Sequence, residues 1–378
     1  MKKHKIAMKY LILPLLIMLL YSCSKNEQID NVKKLIFNEE ENSDIKDLIT
    51  CKFIPLETTD SCLFGDISAI DIVDNKIYTI DRKGNHLFVF DISGKFITQI
   101  GKKGNGPGEY MSLNNFHIDK KQQIITLTDT YIDKLFNYKL TDYKFINSKK
   151  TGYFSDCCWL PDGNIAWAFH GGYSSGKRDL HYAKITDPKL NTIKLLYPTN
   201  FFPESPMVPG QLFYTYNQKC YLNIPYVPTI YEVTSEKLIP TYQLELDQQK
   251  FASPEWLKAE AEKNFYGTIS NTDYISGQHI KETDDYICVE YYARGMTSYL
   301  GFYNKNTGKS FKYSKSDFTR QTGLTGLFQL KGTYNNYFIF TMLPDALKDS
   351  YCTIPKLQPI IDNIKEDDNP ILCLLKFK

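Results

Sequence analysis

Three patterns in this sequence carry residue types that could do chemistry. The first is Gly172-Tyr-Ser-Ser-Gly176, which fits G-x-S-x-G. A nucleophilic serine in that pattern needs a sharp strand-to-helix turn with oxyanion donors beside it. No helical pattern follows here, so the segment reads as a glycine-rich loop. The second is the run from Gly101 to Gly108, whose four glycines and one proline adjoin Lys102 and Lys103. Its backbone N–H groups could cradle an anion. It matches neither a phosphate-binding P-loop nor a dinucleotide fingerprint, and a connector is the plainer role. The third is dispersed. Asn115, His117, Asp129 and Asp156 are side chains of the kind that surround a divalent ion such as calcium. Turn-forming and solvated roles are the plainer reading of each, so no cofactor is expected unless such an ion is held.

Positioning any of these falls to strands. From Phe64 the chain repeats a four-strand plan, clearest over Ser68–Val73, Lys76–Asp81, His86–Asp91 and Lys95–Ile100. Asp74-Asn75 and Ser93-Gly94 supply the hairpin turns. Further units begin near Asn114, Asp156, Phe213, Gln278 and Phe328. Four strands recurring every 40 to 60 residues are the mark of a β-propeller. The expected fold is all-β, with six four-stranded blades in residues 51–378. The sixth unit lacks its outermost strand, and the segment around Phe53 can supply it, so the ring is expected to close through an N-terminal strand and leave no open edge. A helix is expected from Ser253, with a capping serine and a first-turn proline around Trp256.

In such a ring the loops between second and third strands share one face with the connectors between blades. That face would carry Arg82, Tyr110, Tyr131, His170, Lys177, Arg178, Tyr226, Tyr292 and Arg294, with the Trp256 helix as a partial lid. Tyrosine can stack on a sugar ring or peptide group, and arginine can hold a carboxylate.

The segments Phe53-Ile-Pro-Leu-Glu-Thr58, 68–100 and Gly101-Lys-Lys-Gly-Asn-Gly-Pro-Gly-Glu-Tyr110 resemble the six-bladed β-propeller lipoproteins of Bacteroidetes, relatives of NHL-repeat propellers. The likeness spans nearly the whole mature chain. It implies fold and export; it implies no activity.

The N-terminus speaks to location. Lys2, Lys3, His4, Lys5 and Lys9 form a basic head, and an apolar run follows from Tyr10 to Leu20. The run is short for a membrane span and has the anatomy of a cleaved export signal. Leu20-Tyr21-Ser22-Cys23 resembles a bacterial lipobox, with Tyr21 the departure from it. Residues 1–22 are therefore read as a lipoprotein signal peptide, Cys23 as the lipidated residue and residues 23–50 as a polar tether. Lipid on Cys23 would hold the protein on a membrane of the bacterial cell envelope, with the outer membrane as the expected site.

Bulk numbers narrow the function classes. The net charge of +2 gives no field that favours nucleic acid. The 42% hydrophobic content is enough for a large core, and 28 Tyr with 23 Phe favour strands. Eight cysteines accompany Cys23 without metal-binding spacing. They read mostly as buried free thiols, with a disulfide as the alternative in an oxidising compartment. No local catalytic constellation stands out. Binding of a glycan, peptide or partner protein is thus favoured over catalysis. A metal-assisted hydrolase or lyase with an acidic channel site is one alternative, and a scaffold subunit of an outer-membrane complex is the other.

Overall fold

The computed structural model describes residues 32–37, 45–81, 83, 85–169, 181–199, 201–202, 210–246, 250–260, 264–294, 297–348 and 354–378. Six antiparallel sheets follow one another along the chain, each a four-strand meander with its first strand innermost. The innermost strands are Ile67–Val73, Asn115–Asp119, Asp156–Trp159, Phe213–Tyr216, Gly277–Glu282 and Leu327–Tyr334. Each touches the next around the ring, and the sixth touches the first. The expected six-bladed propeller is the fold observed.

Local chemistry explains the strand boundaries. Asp74 and Asn75 both adopt positive φ, 49° and 58°, as a two-residue hairpin turn requires. Gly94 has φ 90°, and a Cβ there would lie 2.0 Å from the Pro55 carbonyl oxygen. Glycine at that turn therefore lets the ring-closing strand approach blade one.

Ring closure is explicit in the register. Ile49–Pro55 pairs antiparallel with Ile371–Phe377 over seven residue pairs, from Ile49 opposite Phe377 to Pro55 opposite Ile371. It is the outermost strand of blade six, whose other strands are Leu327–Tyr334 and Tyr337–Met342. Asn369 secures the junction. It is buried, accepts from the Phe64 amide at 2.7 Å, and donates to the Glu57 and Cys62 carbonyls.

The folded part begins earlier than residue 51, within the stretch read as a polar tether. Lys33–Ile36 adds a fifth, outermost strand to blade four, beside Leu238–Glu245. Leu35 and Phe37 are fully buried among side chains of blades four and five. Phe37 fits because residue 301 is glycine: a Cβ there would stand 2.7 Å from the Phe37 ring. Apolar contact on both sides of these two side chains outweighs the polarity of their neighbours.

Between blades four and five lie the helices Pro254–Glu260 and Phe265–Ser270. The Ser253 hydroxyl accepts from the Trp256 amide at 3.2 Å, so the expected cap and first-turn proline are in place.

Candidate functional site

All six innermost strands contribute to the wall of the central channel. Its cavity measures about 290 Å³. Ile70 and Asp71 come from blade one, Asn115 to Ile118 from blade two, and Cys157 to Trp159 from blade three. Phe213 to Thr215 with Gln211, then Lys281, then Lys331 to Thr333 complete the wall.

A hydrogen-bonded chain runs across four of the blades. Lys281 Nζ donates to Gln211 Oε1 at 3.5 Å, and Gln211 Nε2 donates to Asn115 Oδ1 at 2.7 Å. Asn115 Nδ2 donates to Asp156 Oδ1 at 2.9 Å. Asp156 also accepts from the amides of Cys157, Leu212 and Phe213 at 2.9, 2.9 and 3.1 Å. Burial raises the Asp156 carboxyl above the usual range, opposed by those four donors.

Burial likewise lowers Lys281 to a pKa of about 8, opposed by the nearby Asp156 and Asp71 carboxylates. Its amine is therefore part neutral near physiological pH and can both donate and accept. Asp71 opens onto channel solvent yet is ringed by protein. That enclosure raises its carboxyl, against the Ile72 amide and Lys281. Lys331 Nζ donates to Gln329 Oε1 at 2.6 Å and stands 3.7 Å from Asp66. The His117 imidazole stacks on Trp159 with centroids 4.4 Å apart and planes within 5°. Burial pulls its pKa to about 4, so it is neutral. His279 is buried beside the two lysines, and burial and their charge hold it neutral as well.

The sequence-derived ligand set behaves differently from a metal cage. Asn115, His117 and Asp156 do lie on innermost strands, but Asp156 has its oxygens occupied by protein donors. Asp129 instead anchors loops, accepting from the amides of Met111, Ser112, Tyr131 and Ile132. Among the described residues no group of three or more His, Cys, Asp and Glu is placed to hold a metal ion. The glycine-rich loop also has its own anion. The Glu109 carboxylate accepts from the Gly106 amide at 2.8 Å and pairs with Lys102 at 3.0 Å. These contacts lower its pKa, the Gly106 bond most of all.

Among the proposed face residues that the structure describes, two are buried in the fold. Tyr110 is fully buried between blades one and two, its hydroxyl donating to the Ile100 carbonyl at 3.2 Å. Tyr226 is buried beneath the helices, edge-on to Phe265 with centroids 5.1 Å apart. Neither is offered to solvent, because each fills the space an adjoining element leaves. Tyr131 is 75% exposed. Tyr292 is half-buried near the end of Tyr286–Ala293, and Arg294 is exposed just beyond it at φ 46°. Cys23, Arg82, His170, Lys177, Arg178 and the segment 172–176 lie outside the described residues. Tyr226, Pro254 and Leu257 line a second cavity of about 520 Å³ with Tyr182, Tyr197 and Phe201. The helix therefore covers aromatic surface of blades three and four.

The sequence reading missed Asp71, Gln211, Lys281 and Lys331. A signal was present: in Gln278-His-Ile-Lys281 the polar residues His279 and Lys281 alternate with Ile280 on an innermost strand, where one face must meet the channel.

Residues 23–341 match the DUF5128 family, described as a 6-bladed beta-propeller. This chain belongs to that family. Its structure is similar to that of a Bacteroides fragilis protein described as exported, with TM-score 0.86 and 27% identity over 92% of this chain and 100% of that one. A member of the DUF4221 family from Bacteroides vulgatus shares the fold, with TM-score 0.56 and 11% identity over 88% of this chain and 99% of that one. No curated protein matches the chain.

Proposed function

We infer that this family member is an exported, lipid-anchored propeller that binds the end of a glycan in its central channel. The channel wall carries the reading. It presents a carboxylate, two amides and two amines from different blades, groups that donate to and accept from hydroxyls, next to a tryptophan. At about 30 Å³ per water, the cavity has room for roughly ten waters, the bulk of about one sugar unit. Small-ligand sites commonly combine such a concave, preformed cavity with a few convergent polar groups.

The test is a glycan array on the mature protein, followed by calorimetry on the hits. Lys281→Met and Trp159→Ala are each expected to weaken binding about tenfold or more, equal to roughly 1.4 kcal/mol, while melting temperature holds. An array without hits, or hits that both variants keep at full affinity, would sink the channel assignment.

Support for export comes from the basic head and short apolar run before Cys23, together with the description of the Bacteroides fragilis relative. Metabolic labelling with a fatty acid should mark the native chain and miss Cys23→Ala. Equal labelling of both would refute the anchor.

A further inference from the structure

We propose that Cys51 and Cys373 are a modification site, joined by a disulfide that ties the ring-closing strand to the strand it pairs with. In the ladder between Ile49–Pro55 and Ile371–Phe377, Cys51 stands opposite Leu375, and Phe53 opposite Cys373. Cys51 and Cys373 are therefore diagonal neighbours on one face of the sheet. Both pack into the same apolar cluster between blades five and six, Cys373 fully buried and Cys51 at its edge. The neighbouring Cys51 thiol, ahead of burial, pushes the Cys373 thiol well up.

Diagonal neighbours stand about 7–8 Å apart at Cα, slightly beyond the span most disulfides bridge. Closing the bond asks for an inward shift of about 1 Å. Ile49–Pro55 can supply it, because among the described residues it is the outermost strand of its sheet, with no further strand on its other side. Cys158 and Cys220, on blades three and four, pack in one apolar cluster, but both are buried. Cys51 is half-buried, so an oxidant can reach it.

The chemistry is thiol–disulfide exchange with a small-molecule or protein disulfide. The Cys51 thiolate attacks one oxidant sulfur and releases the other as a thiol. The Cys373 thiolate then attacks the Cys51 sulfur and releases the second thiol. One S–S bond forms in the protein and one breaks in the oxidant, which takes up the electron pair and both protons. In the cell this needs an oxidising compartment and so rests on the export proposed above; in the purified protein it does not.

The test uses the mature chain, reduced and then incubated with oxidised glutathione. Proteolysis without reductant should yield a peptide pair linking Cys51 to Cys373. Two titratable thiols should disappear, and the melting temperature should rise by several degrees, an increase that dithiothreitol reverses. Cys51→Ser and Cys373→Ser should each abolish the rise. Finding both residues only as free or glutathionylated thiols, or finding other cysteines linked instead, overturns the proposal. A negative result leaves export untouched, because fatty-acid labelling of Cys23 tests that separately.

Discussion

Deleting residues up to Glu57 is expected to lower the melting temperature by about 10 °C or more, or to abolish a cooperative transition. The deletion removes seven ladder pairs and leaves Ile371–Phe377 with an open edge. It also removes the buried side chains of Ile49, Ile54 and Leu56, and with Glu57 one of the carbonyls that hold Asn369. Three such apolar residues contribute roughly 1.5–3 kcal/mol each, in a protein whose whole stability is on the order of 5–15 kcal/mol. A shorter deletion of residues 24–44 serves as the comparison. It takes away Lys33–Ile36 and the buried Phe37, but blade four keeps its own four strands, so the loss should be smaller. Equal melting temperatures for the two truncations would show that ring closure does not depend on the Ile49–Pro55 strand.

Asp156→Ala is the second large effect. Its carboxylate gathers donors from blade two (Asn115), its own blade (the Cys157 amide) and the approach to and start of blade four (the Leu212 and Phe213 amides). Alanine would leave all four donors without their partner at a buried junction. An unsatisfied buried donor costs about 1–3 kcal/mol, and partial relaxation should hold the total to about 3–5 kcal/mol. Asp156→Asn keeps the shape and one acceptor oxygen, so it should cost less. Urea unfolding of the three proteins measures the series. A loss below about 1 kcal/mol for the alanine variant would mean that the blades hold register without this carboxylate.

These two experiments probe parts of the molecule that differ in how plainly the sequence shows them. The ladder at Ile49–Pro55 was legible because Cys51-Lys-Phe-Ile-Pro-Leu is a strand-like run with no partner nearby, while the sixth unit was one strand short. The fifth strand of blade four was not legible. Lys33-Lys-Leu-Ile-Phe37 offers a short apolar run beside two lysines, and its partner Leu238–Glu245 lies some 200 residues away. The helix Lys315–Thr322, capped by Ser314 and ended by Gly323 at φ 74°, was also passed over. Its sequence is mostly polar, with Phe318 and Thr322 as its buried contacts. The channel site is harder still. Asp71, Asn115, Asp156, Gln211, Lys281 and Lys331 come from six separate units, and no local spacing relates them. Sequence alone picks out Asn115 and Asp156 as polar residues on inner strands. It cannot show that Asp156 binds protein amides, or that Gln211 lies between Asn115 and Lys281.

The closing ladder also dictates an order of events. Thr50 reaches the carbonyl of Lys376, 326 positions further along the chain. A ribosome or translocon delivers residues in sequence, so Ile49–Pro55 waits unpaired until almost all the rest of the chain has emerged. Early blades can form their own hairpins while they wait, because those contacts are local. The ring itself cannot close before synthesis is nearly finished. A chain built this way holds its two ends apart until the last strand is available, and only then becomes a closed ring.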